Sequence, residues 1–298
     1  MGQIIDRDPI SSSASTTANS KIRLLVLDID GTIVGESNQV GESVKQAVQA
    51  ARSRGIQVAI ATGRMYCSAL RFHRDIQATL PLLVYQGALI QDPETQQCHR
   101  HWPVPAETAQ ALLDYFEQPE RKEALSVHVY IEDRLYVREM TPATQAYSER
   151  CQVEPVMVKD LRSVLAKAPT KVLALANSPN LVQSMQRDLR RLYAPTELYL
   201  TRSVSTYFEA THPQASKGAA VRYLAEEMLQ LEASNVMAIG DNFNDLEMLK
   251  YAGLSVAMGN APDEIKTIAN WVAPDVEHQG AAVAIEKFLL QKEVARTE

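Results

Sequence analysis

The sequence predicts an α/β fold, a doubly wound and mostly parallel sheet interrupted by an inserted α+β unit. Three observations point there. From Lys21, short β-branched or Leu-rich runs alternate with helical periodicity, as in parallel strands joined by crossover helices. The same pattern returns near the end of the chain, and between the two the texture changes. One sheet, interrupted and then resumed, accounts for all three.

The elements follow in order. "IRLLVLD" is the first buried strand. A helix comes next with Val44, Ala47, Val48 and Ala51 on one face, and Gly55 stands where a C-cap belongs. "QVAIAT" is the second strand, and "PLLVYQG" is the third, after a further helical stretch. From about Ile90 to about Thr211 a hairpin is expected, with "SVHVYIE" and "LYVRE" flanking Asp133-Arg134. Helical segments are expected near "AETAQALLDYFEQ" and "NLVQSMQRDLRRLY". Past the insertion, Ser216 can cap a helix whose apolar positions Val221, Leu224, Ala225, Met228 and Leu229 share a face. "NVMAIGD" then reads as a strand, "LEMLKYAG" as a short helix closed by Gly253, and "LSVAM" as another strand. The expected divisions are a disordered polar tail at 1–20, a core from 21–89 and 212–298, and an insertion at 90–211.

Composition narrows the function classes. The 298 residues are 46% hydrophobic, enough for one large or two medium domains. With 30 Lys+Arg against 36 Asp+Glu the net charge is -6, and the basic residues are scattered, so neither a nucleic-acid footprint nor a polybasic membrane patch is present. No apolar stretch approaches the ~20 residues that span a bilayer. Three well-separated cysteines, Cys67, Cys98 and Cys151, form no CxxC pair and read as small buried apolar residues in a reducing cytoplasm. The tail, with "SSSASTTANS", lacks the apolar centre of a secretory signal. Met1-Gly2 resembles the start of a myristoylation signal, but Asp6 occupies the position that needs Ser or Thr.

In open α/β sheets ligands bind outside the carboxyl ends of the strands. Polar residues collect at three such ends: Asp28, Asp30 and Thr32; Thr62, Gly63 and Arg64; Asp241, Asn244 and Asp245. Asp28 and Asp30 stand two apart and are expected to point the same way, with Asp241 adding a third acid if its strand lies alongside. Carboxylates that close need a cation or a proton between them, and magnesium suits such a set of oxygens. Lys217 opens a helix, against the macrodipole, so its placement needs another reason; an anion held beside the metal would supply one. The Thr62-Gly63 turn would offer a hydroxyl and a bare backbone N–H to the same anion. Metal, anion site and two acids point to phosphoryl transfer.

Bland readings stand beside these. Asn244 and Asp245 are ordinary helix-start residues, and Arg64 fits a surface ion pair as well as a substrate contact. His99 and His101 share a strand face without a nearby carboxylate or cysteine to complete a metal site. His212 is a weak substrate-contact candidate.

Taken together, "DIDGT", "ATGR", "SKG" and "GDNFND" resemble the four motifs of the haloacid-dehalogenase-like (HAD) superfamily, and the long insertion and "YQGALI" are similar to its Cof-like phosphatases. The resemblance runs from Lys21 nearly to the end. It implies a HAD-like Rossmannoid core with an inserted α+β cap, and a Mg2+-dependent phosphomonoesterase for a sugar phosphate or a phosphorylated cofactor. By the same resemblance Asp28 is the nucleophile, forming an aspartyl-phosphate, and Asp30 the proton shuttle, its pKa raised by its charged neighbour. Magnesium takes Asp28, the Asp30 backbone carbonyl and Asp241, with Asp245 in support. Thr62, Gly63, Lys217 and Asn244 hold the phosphate. Gln86 departs from the group's usual Asn, which unsettles any substrate contact carried to that position. A phosphomutase, a non-enzymatic phospho-acceptor module and a binding protein without turnover are the alternatives. Oligomeric state is open.

Overall fold

The computed structural model describes residues 22–291, so the expected tail and the Asp6 argument lie outside the described residues. The chain opens with β1 (Leu24–Leu27) and β2 (Gln57–Ile60), then β3 (Leu82–Val84), β4 (Leu89–Gln91) and β5 (Cys98–His101). The insertion supplies β6 (Leu125–Ile131), β7 (Arg134–Val137), β8 (Val156–Met157), β9 (Lys171–Ala176), β10 (Tyr199–Thr201) and β11 (Tyr207–Thr211). The core resumes with β12 (Val236–Gly240), β13 (Leu254–Ala257) and β14 (Trp271–Val272).

The core sheet has the order β14-β13-β12-β1-β2 and every pairing in it is parallel. The interior strand β1, between β12 and β2, explains why. All four residues of β1 are buried, and their alternation serves two cores: Leu25 and Leu27 pack with the helices Glu42–Ser53 and Gly280–Ile285, while Leu24 and Val26 pack with Lys217–Arg222 and Leu246–Tyr251. A strand covered on both faces reads as a continuous apolar run, as "LLVL" does.

An antiparallel extension, β3-β4-β5, hangs from the edge, where Ala61 bridges to Leu83. The chain therefore stays beside the core until His101.

A second sheet, β10-β11-β9-β6-β7-β8, forms the cap and is antiparallel apart from the short β7–β8 pair. The helices Ala106–Phe116 and Pro179–Leu192 bury Leu112, Leu113, Phe116, Val182, Met185 and Leu189 in its own core. The expected hairpin is present, but its turn is Glu132-Asp133, both with left-handed backbone, and Arg134 begins β7. Among the described residues no helix is long and apolar enough to cross a membrane. Only Cys151 is buried; Cys67 and Cys98 are exposed, which corrects the expectation that all three are core residues.

His128 of β6 is fully buried, with Nε2 3.0 Å from Thr144 Oγ1. Burial first, then the nearby Lys171 charge, pushes its pKa down to about 3. Unfolded, a histidine takes a proton near pH 6.5, so the stability from neutral His128 is present above that pH and lost as pH falls toward 3. The loss is expected at about 1.4 kcal/mol per pH unit within that window. His128→Gln should remove about one proton from the slope of stability against pH between 6 and 4, measured by denaturant unfolding; an unchanged slope would show that His128 does not contribute.

Candidate active site

Three neighbouring strands deliver the site in register. Leu27 of β1 lies level with Ile60 of β2 and with Ile239 of β12, so Asp28, Thr62 and Asp241 emerge side by side at the carboxyl edge. Lys217 begins the helix Lys217–Arg222, whose first turn is capped by the Ser216 side chain. Asn244 and Asp245 come from the turn after β12.

Gly31 is needed between them. Its φ is +80°, and an added Cβ would lie 2.2 Å from Asp241 Oδ2. The glycine of "DIDGT" both turns the chain and lets Asp241 approach it.

Lys217 is 1% exposed, with Nζ 2.6 Å from both Asp28 Oδ1 and Asp245 Oδ1. The second oxygen of Asp245 accepts from the backbone N–H groups of Asp241 and Asn242, at 2.8 and 3.0 Å. Two carboxylates thus supply the reason for a lysine in a helix's first turn. Lys217 and Asp245 lie beneath the cavity wall, while Asp28, Asp30, Thr62, Gly63, Asp241 and Asn244 line it.

Carboxylate oxygens of Asp28, Asp241 and Asp245 lie within 4.8 Å of one another, all buried. Three acids against one ammonium leave negative charge unmatched. Burial first, then the charge of Asp245, raises the Asp28 pKa to about 7, with Lys217 opposing. Burial, then Asp28 and Asp245, pushes Asp241 up as well. Burial alone would lower Lys217, but Asp245 and Asp28 hold it above its ordinary value. Such a donor set fits a hard divalent cation. Because Asp245 lies beneath the cavity wall while Asp28 and Asp241 line the cavity, Asp28 and Asp241 are the side chains best placed to hold it.

Asp30 differs from expectation. Its carboxylate turns away from the cluster and is clasped by Arg64 (Nε–Oδ2 and Nη2–Oδ1, each 2.7 Å) and by Arg150 of the cap (Nη2–Oδ1, 2.8 Å). Burial would push its pKa up, yet the hydrogen bonds and charge of Arg64, joined by Arg150, hold it below the ordinary value. The expected rise is therefore a fall in this state, because two guanidinium groups outweigh one neighbouring carboxylate. Arg64 itself is buried, but the Asp30 side chain it pairs with is 39% exposed, so the pair lies at the cavity edge.

The cavity above these residues holds about 470 Å³ and is closed from the cap side by Tyr147, Arg150, Lys171, Ser203, Tyr207 and Glu209. Sequence reasoning found none of these six; they lie on cap elements far from any motif. His212 stacks on Trp102, with ring centroids 5.1 Å apart, and does not line the cavity. His101 bonds Thr170, and His99 shares no metal cluster with it among the described residues.

A family model for haloacid dehalogenase-like hydrolases matches residues 25–285. The chain is 30% identical over 279 residues to the Bacillus subtilis protein YxeH, covering 91% of this chain and 99% of that one. It is 26% identical to the B. subtilis 5-amino-6-(5-phospho-D-ribitylamino)uracil phosphatase YitU, over 90% of this chain and 98% of that one. A haloacid dehalogenase-like hydrolase from Bacteroides thetaiotaomicron shares the fold, with a TM-score of 0.77 at 24% identity, covering 90% of this chain and 99% of that one.

The chain belongs to the haloacid dehalogenase-like hydrolases, in the Cof-like group. Within that class it is a phosphoric monoester hydrolase acting on small phosphate esters.

Asp245→Ala should leave Lys217 paired with Asp28 but the N–H groups of Asp241 and Asn242 without their acceptor, and cost about 1–3 kcal/mol, read by urea unfolding. An unchanged stability would mean that Asp245 does not hold this loop.

Proposed function

We propose that the chain hydrolyses a small phosphate monoester, a sugar phosphate or a phosphorylated cofactor, with Mg2+ and through an aspartyl-phosphate at Asp28. The observation that carries this reading is Asp28 itself, buried at the floor of the cavity, 2.6 Å from Lys217 and beside Asp241.

An Asp28 oxygen attacks phosphorus while the ester P–O bond breaks, and Asp30 gives its proton to the departing alcohol oxygen. Asp30 then takes a proton from water, whose oxygen attacks the phosphoryl group and releases inorganic phosphate and Asp28. A phosphate dianion beside Asp28 repels the Asp30 carboxylate and so favours its protonated form, against the pull of Arg64 and Arg150. Lys217, from beneath, opposes the rise in the Asp28 pKa and so favours the ionised nucleophile. Thr62, the Gly63 N–H, Asn244 and Lys217 offset charge on the phosphoryl oxygens, and Asp245 orients Lys217. Mg2+, held by Asp28, Asp241 and the Asp30 backbone carbonyl, supplies positive charge against those oxygens when bound.

Residues 21–89 with 212–298 are read as the catalytic core and 90–211 as the insertion, of which the part past His101 forms the cap that excludes water and contacts the leaving group. Tyr147 and Tyr207 line the cavity together with Arg150, Lys171 and Glu209, a mixture that suits a polyhydroxylated leaving group with an apolar face. The name of YitU, a phosphatase for a 5-phosphoribityl chain carried on an aminouracil, is in keeping with that class. Three unpaired cysteines, two of them exposed, favour a cytoplasmic setting.

A panel of phosphate monoesters assayed with magnesium, read as kcat/KM, tests the reading. Chelation should abolish turnover. Asp28→Asn should lower kcat by at least about a thousandfold, and near-parental activity would exclude covalent catalysis there. Asp30→Asn should cost about a hundredfold or more, with loss of the pH dependence of a proton shuttle.

A further inference from the structure

Behind the Thr62-Gly63 turn the backbone is strained. Tyr85, Gln86 and Gly87 have successive φ values of +53°, +61° and +88°, in a region that side chains rarely adopt. Such a conformation persists only where the surroundings over-determine it. Here Tyr85 N–H donates to Arg64 O at 2.9 Å, Gln86 N–H to Thr62 O at 3.0 Å, and the Tyr85 hydroxyl to Asp133 Oδ1 at 2.7 Å.

The segment serves to seat one side chain. Gln86 is fully buried and does not line the cavity, so it contacts no substrate there. Its amide fills the space a Gly63 Cβ would take, 2.3 Å from Nε2. One end, Nε2, donates to Glu209 Oε1 of the cap at 3.1 Å; the other, Oε1, accepts from Asn244 Nδ2 at 3.1 Å. Gln86 thereby touches Thr62, Gly63 and Asn244 together.

The direction of these bonds is imposed from the cap. Glu209 is paired with Lys171 at 2.8 Å, and a carboxylate in an ion pair only accepts. Gln86 must therefore turn its NH2 to Glu209 and its oxygen to Asn244. Asn244 must in turn give one N–H of its NH2 to Gln86, which leaves the other as its donor toward phosphate. Its Oδ1 is left buried without a partner, as expected of an amide whose orientation is dictated by a neighbour.

We infer that Gln86 is a positioning residue, which transmits the polarity of the cap's Lys171–Glu209 pair to Asn244 and so sets how that amide meets phosphate. The inference rests on the phosphatase reading in taking Asn244 as a phosphate contact. Gln reaches both partners, and the shorter Asn cannot span them.

Calorimetric titration of the full chain with inorganic phosphate, in saturating magnesium, tests it without turnover. Gln86→Met keeps the length and loses both bonds; phosphate Kd should rise about three- to tenfold. In an Asn244→Ala background the same change should move Kd by less than about 1.5-fold, because the residue through which Gln86 acts is gone. Gln86→Asn, easier at positive φ, should weaken binding in the same direction and carries the cycle if Gln86→Met does not fold. Binding within about 1.5-fold of the unaltered protein, or the full loss persisting beside Asn244→Ala, overturns the inference. An unaltered chain that binds phosphate but cleaves no monoester refutes the phosphatase reading while the Kd values still judge Gln86. Absence of phosphate binding refutes both.

Discussion

One buried ammonium organises the site. Lys217 stands between Asp28 and Asp245, and without it two buried carboxylates would lie side by side uncompensated. Neither acid would then stay ionised at low cost. Asp245 spends its remaining oxygen on the N–H groups that follow β12, so the lysine also ties the loop bearing Asp241 to the strand bearing Asp28. Charge compensation and loop geometry are one arrangement, built beneath the cavity and not within it.

The cap meets the core through apolar packing, with Tyr130, Leu135, Tyr147 and Leu173 in one cluster with Met65, Tyr66, Phe72 and Tyr85, and through polar groups. Asp133, at the tip of its hairpin, accepts from the N–H groups of Tyr66 and Cys67 at the start of the helix Tyr66–Asp75. Arg150 reaches Asp30, and Lys171 donates to Gly63 O at 2.7 Å. These contacts fall on the residues proposed to hold phosphate and move protons, so the cap shapes the chemistry as well as enclosing it. The low pKa of Asp30 is the clearest sign, since one of its two arginines belongs to the cap helix Pro142–Cys151.

Much of the core was legible. "LLVL" reads as a doubly covered strand because parallel sheets bury both faces, and the polar residues just past each run mark the ligand edge. Gly31 and Ser216 stand where a close approach and a helix cap require them. The partners of Asp30 were not legible, because a carboxylate's pKa depends on which side chains face it, and Arg150 lies 120 residues away. Gln86 was visible as an unusual residue in its motif, but its reach to Glu209 was not. Cys67 and Cys98 were misjudged since burial follows packing and not residue type.

By itself the sequence determined the sheet, its interruption and the set of acids, hydroxyl and lysine at its carboxyl edge, because hydrophobic period and turn chemistry are local. Only the tertiary structure decided which charge faces which: that Lys217 lies under Asp28, that Asp30 is clasped by two arginines, and that Gln86 joins cap to core. Electrostatic partners are chosen by distance in space, and residues far apart along the chain carry no local mark of their pairing.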